Sequence, residues 1–272
     1  VDDQIIDQFY NGEPISLDEE LGACPNEFIM LVSNANEKKS ALARYINPHV
    51  PLVRVNELKD GVWGVRARNK EQSFALDILM NPEIPIISLV GRAGCGKTLC
   101  AIAAGMEQCL GSKTYNKLIV SRPVQPMGKD IGFLPGTLEE KMMPWLAPIR
   151  DNLEFLMDGD KDTLDMYLER GLIEIEALTY IRGRSIASAF IIIDEAQNLT
   201  SHELKTIITR VGEGTKIVLT GDIEQIDNAY IDQSSNGLTY AVEKFKAYDL
   251  SGHVTLKRGE RSKVASLAAK IL

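Results

Sequence analysis

The clearest pattern in the chain is an alternation of short apolar runs and amphipathic segments from about residue 69 onward. Continuous runs of Ile, Val and Leu are typical of parallel strands that are buried on both faces. They predict strands at 84–90, 117–121, 190–194, 216–220 and 253–256. Apolar residues at helical spacing predict helices at 99–110, 204–211, 238–245 and 264–271. This order predicts an α/β domain whose parallel sheet carries helices on both faces.

Residues 1–68 show a different pattern. Three β-type runs, at 28–32, 52–55 and 62–67, alternate with clusters of Gly, Pro, Asn and Asp. Turn-forming residues between short β-type runs predict a small β-rich unit. Its default role is packing or contact between subunits. We therefore divide the chain into an N-terminal unit at 1–68 and an α/β domain at 69–272.

The segment GRAGCGKT at 91–98 lies between the first predicted strand of the α/β domain and its helix. It fits the pattern G-x-x-x-x-G-K-[ST], in which glycines let the loop curl so that backbone N–H groups face a phosphate. Lys97 is expected to reach the terminal phosphates, and Thr98 is expected to ligate Mg²⁺. The candidate nucleotide-binding residues of this loop are Gly91, Arg92, Ala93, Gly94, Cys95, Gly96, Lys97 and Thr98.

A second feature follows about a hundred residues later, where Phe190 and three isoleucines run into Asp194 and Glu195. An aspartate at the carboxyl tip of a buried strand suits the shell of a Mg²⁺ ion. The neighbouring glutamate suits the orientation or deprotonation of an attacking water. Alone, such a pair is usually the start of a solvated loop. Combined with the phosphate loop, it predicts a site that hydrolyses a nucleoside triphosphate.

Three further residues are candidates for this site. Gln225 follows the strand at 216–220 and is expected to sense the γ-phosphate or its water. Gln72, one helical turn after Asn69, carries an amide that suits the edge of adenine, although an exposed polar residue is the alternative. Arg261 follows the last strand and suits the developing charge on the transferred phosphoryl group, with a surface arginine at a helix cap as the alternative.

The segment 122–150 interleaves glycine, proline and aromatic residues with Lys and Arg. This composition suits a loop that grips a polynucleotide backbone and stacks bases, and a structured connection packed on the sheet is an equal alternative. Arg182 and Arg184 precede the strand of Asp194. They are candidates for action across a subunit interface or on polynucleotide, with solvated loop charges as the alternative.

Composition narrows the function classes. The net charge is −8, so contact with a polynucleotide requires a local patch rather than a basic field over the whole protein. The four cysteines form no C-x-x-C pair, which argues against a zinc site or a disulfide framework. No apolar run approaches the length of a membrane span, so a cytoplasmic protein is expected. No N-K-x-D motif occurs, which favours ATP over GTP.

The order of these motifs resembles the first RecA-like lobe of superfamily 1 helicases, and within that group it resembles the PhoH family. The resemblance covers roughly residues 60–272. The motifs that carry it are Ser121-Arg122-Pro123, GKDIGFLPG at 128–136, IRGRS at 181–185, IIIDEAQNLT at 191–200, LTGDIEQID at 219–227 and GERS at 259–262.

The resemblance implies an ATPase that uses Mg²⁺, acts on single-stranded RNA as a helicase and assembles into hexameric rings. The N-terminal portion of the chain is similar to the branch of the family in which a PIN ribonuclease domain precedes the ATPase. The acidic cluster of such a nuclease is not found in residues 1–68, so no nuclease activity is expected of this chain. A single RecA-like lobe also needs a second wall for its site, which a neighbouring subunit would supply. The alternatives are an ATP-driven switch that acts on a protein partner and, less well supported, a kinase.

Overall fold

The computed structural model describes residues 1–16, 22–56, 58–123, 138–181 and 185–259. Within these described ranges, nine strands form two sheets. The strands are β1 Phe28–Val32, β2 Ser40–Arg44, β3 Val53–Arg54, β4 Ile86–Gly91, β5 Lys117–Arg122, β6 Ile173–Ala177, β7 Ala189–Ile193, β8 Lys216–Gly221 and β9 Ser251–Leu256. The helices are α1 Asp3–Tyr10, α2 Lys70–Met80, α3 Lys97–Met106, α4 Leu138–Leu156, α5 Lys161–Glu169, α6 Leu178–Ile181, α7 Ser201–Ile208 and α8 Gly237–Phe245.

The large sheet has six parallel strands in the order β6-β5-β7-β8-β4-β9. Alternate residues of each strand point to opposite faces, so β7 sends Phe190 and Ile192 into one apolar cluster and Ile191 and Ile193 into the other. Helices α2, α3 and α4 contribute to the first cluster, and α7 and α8 to the second. The expected α/β fold with a parallel sheet covered on both faces is confirmed.

The topology places the two predicted halves of the site at the same edge of the sheet. Strand β8 separates β4, which leads into the phosphate loop, from β7, which leads into Asp194. All three strands run parallel, so their carboxyl ends lie side by side. In open α/β sheets ligands bind at this edge.

The helices on the sheet begin where the sequence provides capping side chains. The side chain of Asn69 accepts a hydrogen bond of 3.0 Å from the backbone N–H of Gln72 at the start of α2. Thr200 and Glu203 form the expected capping box at the start of α7. Both caps satisfy N–H groups that the helices leave without partners. The Asn69 cap also fixes the first turn of α2, which carries Gln72.

The N-terminal part of the chain has its own antiparallel sheet, β1-β2-β3. Helix α1 buries Ile6 and Phe9 against this sheet. A buried ion pair joins the small sheet to α2, because Arg44 Nε lies 3.0 Å from Asp77 Oδ2. The Phe28 ring stacks on Phe74 of α2 with a centroid separation of 4.3 Å. The division of the chain at residue 68 stays a prediction.

Some elements of the structure differ from the sequence expectations. Residues 62–67 form no strand but a turn with a single bridge between Val62 and Val65, and Gly61 and Gly64 both have positive φ. Strands β2 and β6 were not predicted. Part of 122–150 is helix α4, which contains Pro144 and Pro148. Residues 124–137 of the proposed polynucleotide segment and the predicted helix at 264–271 lie outside the described residues, so both stay predictions.

Over the ranges that the structure describes, no helix is both long enough and apolar enough to span a membrane.

Candidate nucleotide-binding site

The phosphate loop joins the end of β4 to the start of α3, as its sequence predicts. Gly94 and Gly96 adopt φ values of +80° and +89°, which residues with a side chain adopt only with strain. A Cβ atom at Gly91 would collide with the backbone of Leu256 in β9. Glycine at these positions therefore lets the loop curl onto the first turn of α3, where free backbone N–H groups favour an anion.

Lys97 lies inside this loop. Its Nζ donates hydrogen bonds of 2.5 Å to the Gly91 carbonyl and 3.0 Å to the Arg92 carbonyl. The Cys95 thiol is buried beside it, with Sγ 3.7 Å from Nζ. The ammonium group is thus held by two backbone carbonyls of the loop, at the place where a phosphate is expected.

The side chains of the two predicted metal ligands touch each other. Thr98 Oγ1 donates a hydrogen bond of 2.7 Å to Asp194 Oδ1. Thr220, at the end of β8, donates to the same oxygen at 2.6 Å. The Asp194 backbone N–H donates to the Ser121 carbonyl in β5 at 2.8 Å, which fixes the tip of β7. Three neighbouring strands and α3 therefore hold one carboxylate against the phosphate loop.

Glu195 is the next residue, and its backbone is left-handed, with φ 53° and ψ 40°. This conformation is uncommon for a residue other than glycine, and such strain is found at functional sites. Arg122 Nη2 lies 3.4 Å from Glu195 Oε1. Gln197 Nε2 donates to Glu195 Oε2 at 2.5 Å. Both oxygens of the expected water-activating carboxylate thus have a defined partner.

Gln197 is a site residue to which the sequence pattern assigned no role. Its buried amide also donates to the Gln225 carbonyl at 2.9 Å and accepts from the Asp222 N–H at 3.1 Å. Asp222 in turn accepts a hydrogen bond of 3.0 Å from the Ala93 N–H of the phosphate loop. Because all these contacts join distant parts of the chain, only the position of Gln197 next to Asp194-Glu195 could have indicated them.

The remaining predicted residues differ in how closely they approach the site. The Gln225 side chain is exposed, and its contact with the site runs through its backbone carbonyl. Arg92 forms an exposed double hydrogen bond with Glu224, and this carboxylate raises the pKa of the guanidinium. An exposed pair of this kind contributes little to stability. Arg261, Arg182 and Arg184 lie outside the described residues.

Gln72 is buried against the phosphate loop instead of being exposed. Its Oε1 accepts a hydrogen bond of 2.8 Å from the Arg68 N–H, and its Nε2 donates to the Cys95 carbonyl at 3.1 Å. One amide therefore contacts both the segment before α2 and the loop itself. Its expected contact with adenine stays a prediction.

The parallel sheet, the glycine loop and the Thr98–Asp194 contact define a P-loop nucleoside-triphosphatase fold and site. A family model described as PhoH-like protein matches residues 64–271. The chain therefore belongs to the PhoH family, and the family expectation is confirmed.

Curated relatives support this membership. Protein PhoH2 of Bacillus subtilis (strain 168) is 49% identical over 276 residues, which cover 100% of this chain and 62% of that protein. Protein PhoH2 of Mycolicibacterium smegmatis is 43% identical over 212 residues, covering 78% of this chain and 48% of its own length. The chain thus spans about half to three fifths of the length of these two relatives.

Solved structures are similar at a lower level. The Pif1 helicase from Candida albicans has a TM-score of 0.40 and 18% identity, and the match covers 76% of this chain and 43% of that chain. A SWI2/SNF2 ATPase core from Sulfolobus solfataricus in complex with double-stranded DNA has a TM-score of 0.42 and 15% identity, over 77% of this chain and 48% of that one. Similarity at this level carries no argument about function.

Proposed function

We propose that this chain is an ATPase that hydrolyses ATP with Mg²⁺ and is stimulated by single-stranded RNA. The observation that carries the hydrolysis part is the contact between Thr98 and Asp194, which brings the two motifs together although 96 residues separate them. Glu195 directly after Asp194 then stands beside the phosphate loop, with both of its oxygens oriented. This arrangement suits the transfer of a phosphoryl group to water.

The donor groups at this position fit Mg²⁺. A hydroxyl and a carboxylate from protein, completed by phosphate oxygens and water, are the ligands that Mg²⁺ usually takes in nucleotide sites. Thr98 and Asp194 would hold the ion. When bound, Mg²⁺ neutralises charge on the phosphates.

Other residues of the chain would bind the phosphates, activate the water and stabilise the charge that develops during hydrolysis. The curled loop and Lys97 hold the phosphates, and Lys97 exchanges its carbonyl partners for phosphate oxygens. Glu195 orients the attacking water and accepts its proton. Gln225 reports the state of the γ-phosphate through Gln197, to which its carbonyl is hydrogen-bonded. Arg261 is proposed to neutralise the charge that develops on the transferred group.

The RNA and ring parts of the proposal rest on membership of the PhoH family and on the single lobe of the fold. Arg122, whose Nη2 lies 3.4 Å from Glu195 Oε1, is the first residue of the proposed polynucleotide segment at 122–150. This contact supports a link between that segment and the catalytic carboxylate. In a ring, a neighbouring subunit would lie against the carboxyl ends of the strands, where the site is. An arginine of that subunit could then complete the site. Arg182 and Arg184 are the further candidates for that arginine.

The test is the rate of ATP hydrolysis with and without single-stranded RNA, with Lys97→Ala as the blank. We expect hydrolysis above the blank and a faster rate when RNA is added. Hydrolysis that is indifferent to RNA would reject the RNA part and favour the ATP-driven switch. Hydrolysis equal to that of Lys97→Ala would reject the ATPase proposal itself.

A further inference from the structure

A cavity of about 760 Å³ opens beside the phosphate loop. One wall is formed by the loop and the first turns of α3, including Gly96 and Leu99, and Gln72 lies between them and the segment 63–68. The opposite wall is the end of α4, with Phe155 and Leu156. Its volume is in the range of sites that hold small molecules. A ligand whose phosphates lie on the loop would extend into this space.

The two sides of this cavity are tied together. The Trp63 indole donates a hydrogen bond of 3.1 Å from Nε1 to the Leu156 carbonyl, so the end of α4 is fixed to the segment that precedes α2. Helix α4 is anchored further by Ile149 and Leu153, which are buried in the same apolar cluster as α3. The cavity is therefore built from elements that hold one another in place. Preformed walls of this kind are typical of binding sites.

Phe155 is out of place for a side chain with only a packing role. Its neighbour Leu156 is buried, whereas Phe155 is 67% exposed and faces the cavity. A large aromatic ring with a free face offers a stacking surface, and stacking on aromatic side chains is a general way to hold a base. The Gln72 amide also lines the cavity. It uses one lone pair and one N–H on Arg68 and Cys95, and an amide has a second lone pair and a second N–H for a base.

We propose that this cavity holds the base of the bound nucleotide, a purine, with Phe155 as its stacking partner. The inference rests on the proposed function, because it places the phosphates on residues 91–98. The Gln72 amide donates to the Cys95 carbonyl, so a base that draws this amide toward itself also acts on the phosphate loop. The base contact and the grip on the phosphates are thus linked through one side chain.

The test compares two ligands that share the phosphates and differ in the base. An ATP analogue that is not hydrolysed, because an imido group bridges its β- and γ-phosphates, and inorganic tripolyphosphate are each titrated calorimetrically with Mg²⁺ against the chain and against Phe155→Ala. The affinity for the analogue represents the affinity for ATP. We expect Phe155→Ala to weaken ATP binding by about tenfold, since stacking of one base contributes this much or more. Binding of tripolyphosphate should change by less than about twofold, because this ligand does not reach the α4 wall.

Two controls make the result decisive. Tyr248→Ala removes another exposed aromatic, 60% exposed and located just before β9 at the opposite end of the sheet, and should leave both affinities unchanged. Phe155→Tyr keeps an aromatic face and should retain ATP affinity. Equal weakening of both ligands, or unchanged ATP binding in Phe155→Ala, would overturn the inference. The titration reports binding alone, so the base site can be accepted or rejected independently of hydrolysis, which the rate measurement against Lys97→Ala tests.

Discussion

The Gln197 amide donates a hydrogen bond of 2.5 Å to Glu195 Oε2 and so holds the carboxylate that we expect to act on water. The same side chain contacts the Gln225 carbonyl and the Asp222 N–H at the tip of β8. Asp222 continues the connection to the phosphate loop through the Ala93 N–H. One buried amide therefore links the catalytic carboxylate, the proposed γ-phosphate sensor and the loop.

The first prediction concerns this link. Gln197→Ala should lower kcat by about tenfold to a hundredfold while the KM for ATP changes little, because a misplaced catalytic group costs rate more than binding. Loss of the buried hydrogen bonds should also lower the free energy of unfolding by about 1–3 kcal/mol. Steady-state kinetics and urea unfolding measure the two effects.

A second buried amide provides the matched control. Gln108 donates to the carbonyls of Leu79 and Ala104, at the end of α3 that is far from the phosphate loop. Gln108→Ala should lose comparable stability and keep kcat. If both variants lose rate in proportion to stability, Gln197 has no positioning role.

The second prediction concerns the proposed Mg²⁺ ligands. Thr98→Ala removes the hydroxyl that lies 2.7 Å from Asp194 Oδ1, whereas Thr98→Ser keeps it. We expect Thr98→Ala to raise the Mg²⁺ concentration for half-maximal hydrolysis by at least about tenfold, since even indirect partners of a metal contribute this much to its affinity. Thr98→Ser should stay near the parent value. A titration with Mg²⁺ at saturating ATP decides the question, and equal midpoints for all three proteins would remove Thr98 from the metal shell.

The third prediction uses a buried lysine away from the site. Lys216 begins β8, and its Nζ donates to the carbonyls of Leu79 and Asn81 at 2.8 and 2.6 Å, at the end of α2. Burial lowers its pKa to about 7. Between this value and the ordinary lysine pKa, the unfolded chain binds more protons than the folded chain, so stability rises with pH across that window.

The expected increase from pH 7 to pH 9 is up to about 2 kcal/mol, because the carbonyl acceptors oppose part of the effect of burial. Lys216→Met removes the titrating group and should flatten this rise, whatever stability it loses overall. Urea unfolding of both proteins at the two pH values measures the difference. Parallel pH dependences would show that Lys216 keeps its proton in the folded chain.

The strands that position the site could be predicted from the sequence, because their apolar runs are long and the loops that follow them contain the nucleotide-binding motifs. Strands β4, β7 and β8 are buried on both faces, and the motifs follow their carboxyl ends. Thr98 and Asp194 could be paired by function before their contact was known. The capping box at the start of α7 could also be predicted, from the spacing of Thr200 and Glu203.

Other features depend on contacts that pattern does not reveal. The alternation Ile-Glu-Ile-Glu in β6 suits an edge strand, but it is short and lies in a helical neighbourhood. The two prolines of α4 are typical of a loop, because proline disfavours the interior of a helix. The helix forms nevertheless, because Ile149 and Leu153 pack into the apolar core. Gln72 and Gln197 are polar residues whose burial follows only from the folded chain.

The most direct test of the central claim is single-turnover hydrolysis of ATP by Glu195→Gln, measured beside the affinity for ATP. Glutamine keeps the size of the side chain and an oxygen for the Gln197 amide, but it cannot take a proton from water. The account predicts that the hydrolysis rate falls by about a hundredfold or more while the Kd for ATP stays within about twofold. Hydrolysis at the parent rate would contradict it.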